Sequence, residues 1–237
     1  MVKSEYPIFW EKEDFSIKIF CSIPAIATGI LLRAGETKIV IDPGDGILRD
    51  LNEELHPEEI LSITDIFITH GHHDHVGGVW SLLTYLRVMR KRSPMNIHYP
   101  EGCFEIESIY NAFRTVYGLS TSYPIYLKPI MDSKRFSRHG VSITPFPVKH
   151  SEMTGKGNET RLVPAIGFKF GYGGKKICYG GDTAYCDELL HHAKGADLAI
   201  LEAGEDDESV PGMHMTMEEA ERIGKAAKEF FLVHVPQ

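Results

Sequence analysis

Apolar and polar positions along the chain fall into two alternating kinds of stretch. Short runs rich in β-branched and aromatic residues recur at residues 15–20, 38–41, 66–69, 141–145, 165–170, 176–179, 198–201 and 230–235. Most lie next to Gly, Pro or Asp and read as strands. Between them sit helical patterns. After His75, the residues Val79, Leu82, Leu83 and Leu86 follow the i, i+3, i+4, i+7 spacing of an amphipathic helix. A second helix is predicted from Thr216, where Thr216 and Glu219 have capping-box spacing and Met217, Ala220 and Ile223 recur every third residue on one side. Residues 105–116 and 184–193 are further helix candidates. No repeat, low-complexity tract or long linker interrupts the alternation, which predicts a single α/β domain over residues 1–237. Two stretches are expected to be mobile connections near the candidate chemistry: 119–133, rich in Pro, Ser and Tyr, and 151–158, which reads SEMTGKGN.

Composition narrows the class. A chain of 237 residues, 43% hydrophobic and 24% charged, is long enough to bury a large core and excludes disorder, collagen and coiled coil. No apolar run approaches the roughly 20 residues needed to cross a bilayer, and charge breaks the opening MVKSEYPIFWEKEDF, so neither a membrane span nor an export signal is read. A cytoplasmic protein is expected. The cysteines Cys21, Cys103, Cys178 and Cys186 form no CxxC and read as reduced, buried residues. A formal charge of −8 disfavours a general attraction to nucleic acid. The basic cluster Arg87, Arg90, Lys91 and Arg92 falls where a helix should end, which suits the helix dipole. Aromatics between Tyr110 and Tyr126 read first as packing and only second as stacking surfaces for a base.

Twelve histidines ask for a chemical explanation. Residues 69–78 read THGHHDHVGG, so His70, His72, Asp74 and His75 gather at the end of an apolar strand, just before a helix. On an extended strand end His70 and His72 point the same way, and a tight turn brings Asp74 and His75 to a neighbouring point. That arrangement suits two adjacent metal ions better than one, and neither packing nor turn formation requires it. Further candidates stand at other element ends: His150 after VSITPFPVK, Asp182 after KICYGG, and His234 in FFLVHV. Ligands gathered from distant strand ends are how a rigid scaffold preorganises a site.

These motifs resemble the metallo-β-lactamase superfamily of hydrolases, from Ala27 to the end of the chain. IDPGDG with Asp42 looks like its early Asp motif, THGHHDH is its signature, and His150, Asp182 in GGDT and His234 match its later ligands in order. The resemblance implies an αββα sandwich of two β-sheets flanked by helices. It implies one zinc held by His70, His72 and His150, a second held by Asp74, His75 and His234, and Asp182 bridging them, with Asp42 in support. The segment His214–Met215–Thr216 and its following helix are similar to ribonuclease Z and related phosphodiesterases, in which such a histidine is the proton donor near a glutamate. Glu202, in LEAG where those relatives carry HEAT, is the matching glutamate. The expected catalytic groups are Asp74, His214 and Glu202.

Imidazole and carboxylate without thiolate suit Zn²⁺, with Mn²⁺ or Fe²⁺ as alternative occupants. Two such ions can share a hydroxide that attacks an ester. The first expectation is therefore a binuclear phosphodiesterase acting on a small anionic ester, with His214 as general acid and a homodimer left open. A lactonase or thioesterase is the alternative that lacks a use for His214, and a metal-stabilised binding module would lack a ligand. A ribonuclease Z-like tRNA 3′-processing endonuclease is a further alternative, but ribonuclease Z proper grips tRNA with a long arm between the motifs matching His150 and Asp182. Only 31 residues separate those positions here, so nucleic acid is not expected as a partner.

Overall fold

The computed structural model describes residues 5–155, 159–205, 210 and 213–236. They fall into two compact units, one over Tyr6–Pro129 and one made of Glu5 with the residues from Ile130 onward. Each contains one main sheet with helices, the mixed α/β make-up that the alternating pattern predicts.

The first unit opens with β1 (Ile8–Lys12), β2 (Phe15–Ile23), β3 (Ala27–Ala34) and β4 (Thr37–Ile41), an antiparallel series. Helices α1 (Ile47–Glu54) and α2 (Pro57–Ser62) lead to β5 (Asp65–Phe67), which runs parallel to β4. Then come α3 (His73–Val76), α4 (Val79–Val88), β6 (Met95–Pro100) parallel to β5, α5 (Phe104–Tyr117) and β7 (Ile125–Ile130). The seven strands lie in sequence order. The predicted face of α4 is the buried one: Val79, Leu82, Leu83 and Leu86 join a core with Leu31, Val40, Ile66 and Ile97. Each such side chain contributes about 1.5–3 kcal/mol of burial.

The second unit holds β8 (Phe136–Arg138), β9 (Val141–Pro147), β10 (Ser151–Met153), β11 (Thr160–Leu162), β12 (Ile166–Tyr172), β13 (Lys175–Tyr179), α6 (Asp187–Ala193), β14 (Leu198–Glu202), α7 (Met217–Gly224) and β15 (Phe230–Val233). Six strands form its sheet in the order β15-β14-β13-β12-β9-β8, while β10 and β11 pair as a separate hairpin. Strands β13, β14 and β15 are parallel, so their carboxyl ends point the same way. Thr216 caps α7 as expected: its Oγ1 accepts from Glu219 N, and Glu219 Oε2 accepts from Thr216 N.

The structure corrects some expectations and bears out others. Met217 is exposed, whereas Ala220 and Ile223 are buried; it stands at the first helical position, ahead of the turns that pack on β14 and β15. The stretch 119–133 is largely structured: Tyr123 is buried with its hydroxyl donating to Leu83 O, and β7 joins the sheet as an edge strand. Pro129 is tolerated there because an edge strand can spare one donor. The stretch 151–158 begins a hairpin, and residues 156–158 lie outside the described residues. The basic cluster does stand at the end of α4, which closes at Val88, and Lys91 has a further part there. Lys91 is buried, and its ammonium donates to Leu61 O, Ile63 O and Ser93 Oγ, capping the carboxyl end of α2. Arg87 lies over the Tyr117 ring, 4.4 Å from its centroid. The aromatics Phe113 and Tyr117 pack with Trp80, which is the packing role. All four cysteines are free, and Cys103, Cys178 and Cys186 are buried; Cys21 is half-buried.

Candidate metal centre

In the first unit, two strand ends set the geometry. Asp42 follows β4 in a left-handed conformation, φ 45°, which a short polar side chain adopts more readily than a branched one. Its Oδ1 accepts from Thr69 N at 2.8 Å and its Oδ2 from Thr69 Oγ1 at 2.7 Å, and the same Oδ2 lies 3.0 Å from His75 Nδ1. The buried carboxylate thus ties the end of β4 to the segment after β5. Gly44 makes this approach possible, because a Cβ there would collide with the carbonyls of Asp74 and Thr28.

Along that segment the rings of His70 and His72 have centroids 4.8 Å apart, and those of His70 and His75 4.2 Å apart. His72 is the N-cap of α3, the tight turn that brings Asp74 and His75 round. Asp74 Oδ2 accepts from Ala25 N at 3.0 Å and lies 3.7 Å from His75 Nε2. His70, Asp74 and His75 are buried.

In the second unit, His150 follows β9, Asp182 follows β13 through Gly180 and Gly181, Glu202 ends β14, and His234 follows β15. All four are buried. Backbone pairing fixes the first two: Ala184 N donates to Lys149 O, and Lys149 N to Thr183 Oγ1. His234 Nε2 lies 3.0 Å from Asp182 Oδ2. Glu202 is held from three sides: its Oε1 accepts from Thr183 N at 2.8 Å and lies 3.0 Å from His214 Nδ1, and its Oε2 accepts from Gly204 N at 2.7 Å. Burial pushes the Glu202 carboxyl up from its ordinary value, against the opposing effect of its hydrogen bond with His214. The His214 ring is 5.3 Å from that of His150 and 6.0 Å from that of His234. Its side chain keeps 20% exposure where Glu202 keeps 1%, so one end of the pair meets solvent.

The donor set fits a divalent cation. Thr69 Oγ1 stands 3.1 Å from His70 Nδ1 and Asp42 takes His75 Nδ1, which sets Nε2 of each ring as the nitrogen a metal would take. Buried carboxylates beside imidazoles, Asp74 with His75 and Asp182 with His234, are the hard and borderline donors of Zn²⁺, Mn²⁺ and Fe²⁺ sites. Sequence reasoning did not single out Thr69 or Thr183. The threonine of GGDT and the one opening THGHHDH were visible, but their partners are 19 and 27 residues away, respectively.

Comparison with known proteins follows the same lines. Residues 37–235 match a family model described as the beta-lactamase superfamily domain. Ribonuclease Z of Pyrococcus horikoshii is 26% identical over 254 residues, which take in 90% of this chain and 79% of that protein. The metallo-beta-lactamase fold protein YhfI from Bacillus subtilis superposes with a TM-score of 0.75 at 19% identity, covering 95% of this chain and 88% of its own. The short form of human tRNase Z gives a TM-score of 0.74 at 23% identity, with 93% and 92% covered.

Proposed function

Because the chain belongs to the beta-lactamase superfamily domain family and is a metal-dependent hydrolase, we propose that its substrate is a phosphodiester. In this reading His70, His72 and His150 would hold one divalent ion, and Asp74, His75, Asp182 and His234 would hold a second; the family resemblance would let Asp182 serve the first as well. Zinc is the first choice, manganese and iron the alternatives. When bound, the ions supply Lewis acidity and activate the attacking water.

The observation that carries the choice of a phosphodiester is the pairing of Glu202 with His214. A phosphodiester expels a poor leaving oxygen, which needs a proton in the transition state. The buried Glu202 carboxylate holds Nδ1–H of His214 and favours the imidazolium, so Nε2–H can donate to the leaving oxygen. His214 then remains as the neutral tautomer still bonded to Glu202. Thr183 N and Gly204 N hold the carboxylate in place while its partner changes charge. A lactone or thioester hydrolase would have less use for this device. Asp74 acts as a ligand and, through Ala25 N, is held in one orientation.

A small phosphodiester is the first substrate in this reading, since the chain is acidic and the interval from His150 to Asp182 holds the β10–β11 hairpin and strands β12 and β13 instead of a long insertion. RNA is the second, favoured by the relatives named ribonuclease Z, which weaken the expectation that nucleic acid is excluded. The match to the Pyrococcus protein runs over 254 residues against 237 in this whole chain, so that relative carries residues inside the match that this one lacks. Among the described residues no helix is long and apolar enough to cross a membrane, and four free cysteines fit a reducing compartment such as the cytoplasm. The test is a hydrolysis screen of zinc- and manganese-loaded protein against small phosphodiesters, precursor tRNA, phosphomonoesters, sulfate esters, lactones and thioesters. Turnover of the last two alone would sink the phosphodiesterase reading.

A further inference from the structure

A second concentration of polar chemistry lies in the second unit, on the same sheet but at its other end. A cavity of about 530 Å³ is lined by Arg135, Lys169, Lys175, Lys176, His191 and His192, together with the hydroxyl residues Ser142 and Thr144. None of the described residues that line it is a carboxylate. In a chain of net charge −8, four cations and two imidazoles around one concavity reverse the local sign. Two acids stand close by: Glu188 acts on His192, and the Asp197 carboxylate is already taken by Lys176 N and by Lys228 Nζ.

The fold explains how the concavity arises. Ser142 pairs with Gly171, and Thr144 with Lys169, on neighbouring strands β9 and β12, while Gly171 pairs with Lys176 of β13. These paired positions fall on one face of the sheet. Gly171 keeps that face open, since a Cβ there would press on Ser142 Oγ at 2.7 Å. The seven-residue helix α6 covers only part of the same face and ends at the cavity with His191 and His192. His192 is stacked on Phe146, ring centroids 4.3 Å apart, and its carbonyl accepts from Lys169 Nζ at 2.7 Å, which fixes the ammonium at the cavity wall. Burial lowers the pKa of both Lys169 and His192, and each is further lowered by a neighbouring cation, Lys176 for Lys169 and Lys169 for His192. An anion in the cavity would relieve that repulsion.

We propose that this cavity is a binding site for a phosphoryl anion, separate from the metal centre. Ammonium and guanidinium groups with hydroxyl donors are the groups that complement tetrahedral oxyanions. Lys176 stands near the start of β13 and Asp182 three residues past its end, roughly 15–20 Å away at about 3.3 Å per residue. A single small ester therefore does not reach both places. The occupant is either a free phosphate or pyrophosphate group acting away from the chemistry, or a distant phosphate of an oligonucleotide whose scissile bond lies at the metals. The proposal does not depend on which ester the enzyme cleaves.

The test uses the metal-loaded protein and two probes, inorganic pyrophosphate and a single-stranded oligoribonucleotide of about 12 residues with a non-hydrolysable backbone. Binding is measured by calorimetry across a range of salt for the wild type, for Lys169→Met with Lys176→Met, and for Lys176→Glu alone, an exposed position where folding is not in question. Pyrophosphate should occupy one site more in the wild type than in the variants, while hydrolysis of a small activated ester stays unchanged. If the occupant is a nucleic acid phosphate, the oligonucleotide instead weakens by roughly tenfold and its salt slope falls by about 1.4 in the double variant, about 0.7 per lysine lost on a single strand. Equal stoichiometry, affinity and salt slope in wild type and Lys176→Glu for both probes overturns the proposal.

Discussion

Glu202 Oε1 and His214 Nδ1 stand 3.0 Å apart, joining the end of β14 to the residue two positions before the α7 cap. The carboxylate is buried and the imidazole partly exposed, so the pair is oriented from inside to outside. If His214 delivers a proton, His214→Ala keeps both metals and loses roughly 10²–10⁴ in kcat on esters with poor leaving groups. The loss shrinks on a nitrophenyl diester, which departs without a proton. Equal losses on both ester types would make His214 a substrate-binding group, and loss of metal would make it a ligand.

Glu202 is tested by its isostere. Glu202→Gln preserves size but no longer favours the imidazolium, so the acidic group in the pH–rate profile on poor leaving groups should shift to lower pH while metal content stays constant. A variant that loses activity equally on all esters, with its pH profile unmoved, would mean that Glu202 only supports the Thr183 and Gly204 backbone.

The metal centre itself predicts two ions per chain. Elemental analysis of the active protein should find them, and a chelator should abolish hydrolysis with recovery on adding zinc or manganese. Asp182→Ala should lower occupancy of the second ion and most of the activity, while the circular dichroism spectrum is retained. A fully active protein that holds a single ion and takes up no second one in a titration would remove the binuclear reading.

Much of this was legible in sequence where the chemistry is local. THGHHDH compresses four candidate ligands, His70, His72, Asp74 and His75, into one short segment, and Thr216 with Glu219 three positions on announces a cap; both need only short-range geometry. What stayed hidden depends on tertiary contact. Strand β3, ATGILLRA, lies in the middle of its sheet with nearly every residue buried, so it lacks the alternation that marks a half-exposed strand. Thr183 meets Glu202, and Lys91 meets the end of α2, only after the chain has folded. The family resemblance supplied Asp42 and Glu202, which spacing alone did not reach.

Asp42 offers a test of support without ligation. It accepts two hydrogen bonds from Thr69 and faces His75 Nδ1, so Asp42→Ala leaves three groups unsupported in a buried place. Metal affinity should fall roughly 10–100-fold, the range for removing a partner that orients a ligand. Asp42→Asn tolerates the left-handed backbone and keeps an acceptor for Thr69, so its loss should be smaller. Identical affinities for Asp42→Ala and the wild type, measured by competition with a chromophoric chelator, would deny Asp42 this role.

Lys91 gives a pH signature remote from the chemistry. Its burial lowers its pKa from 10.5 to about 8, partly offset by Asp65, while three acceptors hold the ammonium. Between pH 8 and 10.5 the unfolded chain therefore keeps a proton on this lysine that the folded chain has released. Stability from this group then rises as pH rises through that window, because the unfolded state binds more protons. Other groups pull the opposite way there, since Tyr99 and Cys103 are pushed up to about 12 and favour unfolding as pH increases. The comparison must accordingly be between wild type and Lys91→Met, in which those contributions cancel. Urea unfolding at pH 7.5, 9 and 10 should show the wild type gaining on the variant at each step. A constant difference across the three would mean that Lys91 titrates in the folded protein as it does in the unfolded chain.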